Sequence, residues 1–102
     1  MEDDVLDYFL KGIREQLGIH LKRVILFGSR ARGEETSGSD YDCLVVVDEA
    51  SEEVKDIIDE VAGDTLYKYD AVFSAFPVSQ EKLHQNKYSP LLINVNKEGI
   101  TL

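Results

Sequence analysis

Three short patterns between Phe27 and Asp70 carry side chains that could do chemistry. The first is Gly28-Ser29, which directly follows an apolar run. Glycine lets backbone N–H groups approach an anion, and a serine hydroxyl can donate to a phosphate oxygen. Alone, the pair reads more readily as a tight strand-to-helix turn. The second is Ser39-Asp40-Tyr41-Asp42. Residues two apart on a strand share a face, so Asp40 and Asp42 would stand about 7 Å apart along it. Two such carboxylates repel, which is costly in a buried place unless a cation sits between them. Hard oxygen donors of this kind suit Mg²⁺, which binds through one or two carboxylates plus substrate phosphates. With ten aspartates in the chain, one Asp-x-Asp arises by chance about once. The pair therefore carries weight only together with its neighbours. The third is Asp70, which opens a predicted strand through Ala71-Val72-Phe73. If that strand lies beside the one bearing Asp42, Asp70 completes a three-carboxylate cluster. Otherwise it is a strand-edge charge facing water.

These residues must be held by elements that the apolar pattern outlines. Val5, Leu6, Phe9, Ile13 and Leu17 recur at three- and four-residue steps, which predicts an amphipathic helix over 2–17 with Gly18 as its stop. Acids lead that helix and Lys11 and Arg14 follow, the order its dipole favours. Arg23–Phe27 reads as a buried strand, Arg30–Glu34 as a short helical turn, and Glu35–Ser39 as a loop. Asp40–Asp48 reads as a second strand. Ser51 caps a helix over 52–62 with Val54, Ile57, Ile58 and Val61 on one face, ended by Gly63. A third strand spans Tyr69–Phe76 and stops at Pro77. Ser79 caps a short helix to Gln85, and Ser89-Pro90 opens another that runs to Gly99. Ile100–Leu102 makes a last short strand. The resulting order, α-β-α-β-α-β-α-α-β, predicts a layered α/β (α+β) fold, a small mixed β-sheet flanked by helices.

Composition narrows the functions such a scaffold could serve. A length of 102 residues implies one domain over 1–102, large enough to bury roughly 60–70% of its unfolded surface. The mixture of 43% hydrophobic and 30% charged residues argues against disorder. No apolar run is long enough to span a membrane. The acidic start, Glu2-Asp3-Asp4, has the wrong charge for a signal peptide. The single cysteine, Cys43, cannot form an internal disulfide or a cysteine zinc site. A cytoplasmic location is the expectation. Twenty acids against eleven bases give a net charge of −9, which repels a nucleic acid unless cations are concentrated locally. Arg30 and Arg32, with Lys22 and Arg23 nearby, form the only basic cluster. It adjoins the glycine-rich stretch, where a phosphate-sized ligand fits better than a polymer.

The combined spacing Gly28-Ser29-x-x-Arg32-Gly33-(x)₅-Ser39-Asp40-x-Asp42 is far more specific than its parts. It resembles the nucleotidyltransferase superfamily typified by DNA polymerase β, whose pattern is G-S-x-x-[RK]-G-…-[SD]-D-x-D. The short length and the stretch Tyr88-Ser89-Pro90-Leu91-Leu92-x-x-Val95-x-x-Glu98-Gly99-Ile100 look like the minimal members of that superfamily. Cys43 departs from the pattern, standing where the family carries an aliphatic residue. It should point into the core, opposite Asp42.

The resemblance implies that Gly28 and Ser29, with Ser39, hold a nucleoside triphosphate, ATP being the family's usual one. It implies that Asp40, Asp42 and Asp70 hold two Mg²⁺ ions. Two ions about 3.5–4 Å apart suit an in-line displacement that releases pyrophosphate. Arg32 is either a phosphate contact or half of a structural ion pair, and Arg30 is a weaker candidate of the same kind. His20 and His84 lack metal-ligand spacing, and Tyr67, Tyr69 and Tyr88 suit packing better than base stacking. Little chain follows the third strand, so the nucleotide site should be half-built, to be completed by self-association or by a partner. The minimal family is commonly paired with HEPN-domain toxins, acting as the antitoxin and adenylylating a toxin tyrosine. Two alternatives stand beside this. One is a binding module that masks a basic toxin surface by charge; the other is nucleotidyl transfer to a small molecule.

Overall fold

The computed structural model of the chain describes residues 3–34, 36, 38 and 40–102. Helix α1 (Asp4–Leu17) starts at Asp3, whose carboxylate accepts from Leu6 N at 3.0 Å, and ends at Gly18 in a positive-φ conformation. A 3₁₀ turn, Gly18–His20, leads into strand β1 (Leu21–Phe27). The four-residue helix α2 (Ser29–Arg32) precedes strand β2 (Tyr41–Val47). Helix α3 (Glu52–Tyr69) and strand β3 (Phe73–Ser79) follow. Helices α4 (Gln80–Gln85) and α5 (Pro90–Glu98) and the two-residue strand β4 (Ile100–Thr101) complete the chain. Ser51, Ser79 and Ser89 each cap the helix that follows by accepting its third backbone N–H. The described residues include no helix long and apolar enough to cross a membrane.

The sheet order is β3-β2-β1-β4. β1 runs antiparallel to β2 and β4, and β2 runs parallel to β3. This is the mixed sheet expected. Its two faces pack separately because successive strand residues point to opposite sides. Val24, Leu26, Tyr41, Cys43, Val45 and Val47 face α1 and α3, meeting Phe9, Ile13, Ile58 and Val61. Ile25, Leu44 and Val46 face the other way and are covered by Leu92 and Val95 of α5. Cys43 is fully buried on the first face, opposite Asp42, as expected from its parity.

The largest departures from expectation are in α3 and β3; β1 starts two residues early at Leu21, and β2 is Tyr41–Val47, without Asp40 and Asp48. α3 does not stop at Gly63 but runs on to Tyr69. Its buried stripe Val54, Ile58, Val61 continues to Thr65, whose hydroxyl donates to the Val61 carbonyl at 2.8 Å. Packing along that stripe outweighs the roughly 1 kcal/mol that a helical glycine costs. The stop is Asp70, the one non-glycine described residue with positive φ, at 55°. β3 therefore begins at Phe73, and Pro77 lies within it rather than ending it. β3 is an edge strand, where a missing ladder donor is tolerated.

Three aromatic rings tie α1 to both strands. Phe9 stacks on Phe73 at 4.0 Å between ring centroids, and Phe73 stacks on Tyr41 at 4.5 Å. The Tyr41 hydroxyl donates to Asp3 at 2.8 Å, so the ring at the head of β2 also locks the α1 cap. Phe9→Ala should lower the unfolding free energy by about 3–5 kcal/mol, the range for a buried aromatic truncated to alanine. Urea unfolding checks this, and a loss below about 1 kcal/mol would show that the stack does not hold α1 to the sheet.

Candidate active site

The site forms where β1 ends and β2 begins. Phe27 pairs with Asp42 across the antiparallel ladder, so the turn after β1 lies beside the carboxylates at the head of β2. Gly28 makes that turn with φ 76° and ψ −159°, a conformation only glycine adopts readily. A Cβ at Gly28 would overlap the Asp42 carboxylate. Glycine is therefore required twice, once for its backbone angles and once for the space Asp42 occupies. The turn is closed by Ala31 N and Arg32 N donating to the Gly28 carbonyl at 3.1 and 3.2 Å, and by Glu34 N donating to the Ser29 carbonyl at 2.9 Å.

Asp40, just before β2, is exposed; Asp42, in β2, is half-buried and by strand parity shares a face with Leu44 and Val46. Burial and the neighbouring Asp40 charge raise the Asp42 pKa above the usual carboxylate range, and Arg32 partly offsets them. This is the like-charge pair that the Asp-x-Asp spacing anticipates, with one cation in range.

Arg32 takes the structural alternative left open for it. Its Nε donates to Glu34 at 3.0 Å and its Nη1 to Glu98 at 2.7 Å. Those two carboxylates raise its pKa further above the arginine value. Arg30 lies over the Tyr41 ring at 3.8 Å from the centroid, extending the stack of Phe9, Phe73 and Tyr41 by a guanidinium. Ser39 lies outside the described residues.

Asp70 is not where the sequence places it. It caps α3 three residues before β3, and the residue opposite Asp42 on β3 is Ser74. Asp70 instead lines a cleft of about 190 Å³ with Val5, Arg30 and Tyr41, on the Tyr41 side of β2. No group of three or more His, Cys, Asp or Glu side chains suited to a metal occurs among the described residues. The expected three-carboxylate cluster is thus reduced to Asp40 and Asp42. The displacement follows from the longer α3, which takes in Tyr69 and is capped by Asp70. Sequence reasoning passed over Glu34 and Glu98 as partners of Arg32. Glu98 could have been singled out, because an acid in the last turn of a helix opposes the helix dipole.

The model of the nucleotidyltransferase domain family matches residues 6–98, nearly the whole chain and all of this site. The chain belongs to the nucleotidyltransferase domain family. Two proteins of Methanocaldococcus jannaschii, each named "putative protein adenylyltransferase", are similar to it. One is 32% identical over 101 residues, covering 99% of this chain and 97% of the relative. The other is 29% identical over 98 residues, covering 93% and 67%. The fold also matches a crystal structure described as a toxin–antitoxin with AMP-PNP, with TM-score 0.62 and 19% identity, covering 91% of this chain and 68% of that one. At that identity the likeness is one of fold. The chain is a nucleotidyltransferase, and its geometry brings the Gly28 turn against Asp42 with the Asp40 charge nearby.

Two outcomes follow from this packing. Gly28→Ala should cost about 1–3 kcal/mol for the positive-φ backbone that glycine alone adopts readily and also displace the Asp42 carboxylate. Nucleotide transfer should fall more than stability does, which a paired activity and melting measurement reads. Asp42→Asn should raise the melting temperature of the metal-free protein at pH 7. A carboxyl with a raised folded pKa penalises the fold in full above that pKa, so the gain should shrink as pH falls below it and vanish below the ordinary aspartate pKa, where the group is neutral in both states. A variant melting at or below wild type at pH 7 would contradict the like-charge reading.

Proposed function

We propose that this nucleotidyltransferase moves AMP from ATP to a hydroxyl of a partner protein, a tyrosine of a HEPN-type toxin that it serves as antitoxin. The observation that carries the reading is the closure of the Gly28 turn against Asp42, with the Asp40 charge near enough to raise the Asp42 pKa. That arrangement sets a phosphate-accepting turn directly beside an anionic pair. The names of the two Methanocaldococcus relatives support protein adenylylation, and the toxin–antitoxin fold match supports the partner class.

The residues present fit a Mg²⁺ ion. Asp40 and Asp42 repel one another, and a divalent ion bound through one or two carboxylates plus nucleotide phosphates relieves that repulsion. When bound, the ion would neutralise phosphate charge and polarise the α-phosphate. The Gly28–Ser29 turn binds the triphosphate, Ser29 donating its hydroxyl to a phosphate oxygen. The acceptor hydroxyl releases its proton to solvent, and its oxygen forms a bond to the α-phosphorus. The bond from that phosphorus to the bridging oxygen breaks, and pyrophosphate leaves.

Intact-mass measurement of the chain with its co-purified partner, ATP and Mg²⁺ tests the reading. An adenylyl increment on the partner is expected, lost on chelation of the metal. Asp42→Asn should reduce it by at least about 100-fold, since even residues that only orient metal ligands cost 10–100-fold. A second reading draws on the position of Asp70, which leaves the carboxylate set one short. In it, the net charge of −9 masks a basic toxin surface without transfer. A stable complex with no increment for any nucleotide would select that reading.

A further inference from the structure

We infer that Glu98 is a positioning residue for nucleotide binding, acting through Arg32 to hold the Gly28–Ser29 turn in place. The inference rests on the nucleotidyl-transfer reading and adds to it a residue 66 positions away in sequence from the one it acts through.

Four observations carry it. First, the contact is short and partly shielded. Glu98 Oε2 lies 2.7 Å from Arg32 Nη1, and its side chain, at 27% exposed, is the least exposed carboxylate among the ion pairs of the described residues. Second, Glu98 is the last residue of α5, where the dipole disfavours an anion, so α5 itself gains nothing from it. A residue that is locally unfavourable and well paired elsewhere marks a position set by the pairing. Third, α5 is delivered to that point rigidly. A Cβ on Gly99 would overlap the Val95 carbonyl and the Ile25 side chain, and Ile100 pairs with Leu26 on β1, two residues before Gly28. Fourth, α2 is only four residues long and is too short to hold its own shape. Arg32, its last residue, is gripped by Glu34 from its own loop and by Glu98 from across the fold. Glu98 thus fixes the far end of the segment whose near end is the nucleotide turn.

The experiment compares Glu98→Ala and the milder Glu98→Gln with wild type, by steady-state transfer and by amide hydrogen exchange of the nucleotide-free chain. KM for ATP should rise roughly three- to tenfold in Glu98→Ala, with kcat within about twofold. Glu98→Gln, which keeps an acceptor oxygen, should fall between. Exchange should quicken at Ala31, Arg32 and Glu34, whose N–H groups close the turn. In an Arg32→Gln background, Glu98→Ala should add no further change in KM. A lower melting temperature with unchanged KM would reduce Glu98 to a stability contact and overturn the inference. So would a fall in KM, which would make Glu98 a competitor of the nucleotide, or unchanged exchange at the turn. If the wild-type chain transfers nothing to any acceptor, the proposed function fails, and the exchange measurement still decides the role of Glu98.

Discussion

The Gly28 backbone and the Asp42 carboxylate occupy adjoining space with no room for a methyl group between them. The rest of the site depends on that contact. It requires β1 and β2 to be antiparallel neighbours in one register, because a shift by one residue would turn Asp42 to the other face and bring Tyr41 or Cys43 to the turn. The register is in turn secured by the two-sided core. Cys43, Val45 and Val47 can be buried only under α1 and α3, and Leu44 and Val46 only under α5. The carboxylate thus inherits its direction from apolar residues further along its own strand.

Charge and aromatic packing divide the two arginines of the glycine-rich segment between different tasks. Arg30 lies on the Tyr41 ring, at the end of a column that begins with Phe9 in α1. Arg32, two residues on, reaches Glu34 and Glu98 instead. One arginine therefore anchors the segment to the α1 and α3 side of the sheet and the other to the α5 side. A segment with few apolar side chains of its own is held from both faces by its cations. This is how a chain of net charge −9 keeps positive charge beside the Gly28 turn.

What was legible in the sequence was what is local. The serine caps at 51, 79 and 89 were readable because each acts on a backbone group three residues away. β1, β2 and the Gly28 turn were readable because strand parity and glycine content are short-range signals. The family pattern then joined Gly28, Ser29, Asp40 and Asp42 into one site. The end of α3 was not legible, because its last turns carry the buried Thr65 and the Tyr8–Tyr69 ring contact at 5.5 Å, the latter reaching across to α1. Placing that helix end wrongly carried Asp70 onto a strand and into a cluster it does not join. Glu98 was quoted as part of a tail pattern, but its partner lies too far away in sequence for spacing alone to reveal it.

Cys43 adds a property that is independent of the chemistry beside it. It is fully buried next to Asp42, and burial pushes its thiol up to about 12. At neutral pH almost no thiolate exists there to meet a reagent. Modification must wait for an opening that parts β2 from α1 and α3. The single thiol is therefore a built-in clock for excursions of the strand that bears Asp42. It runs without any label having been introduced and is silent while the core stays closed.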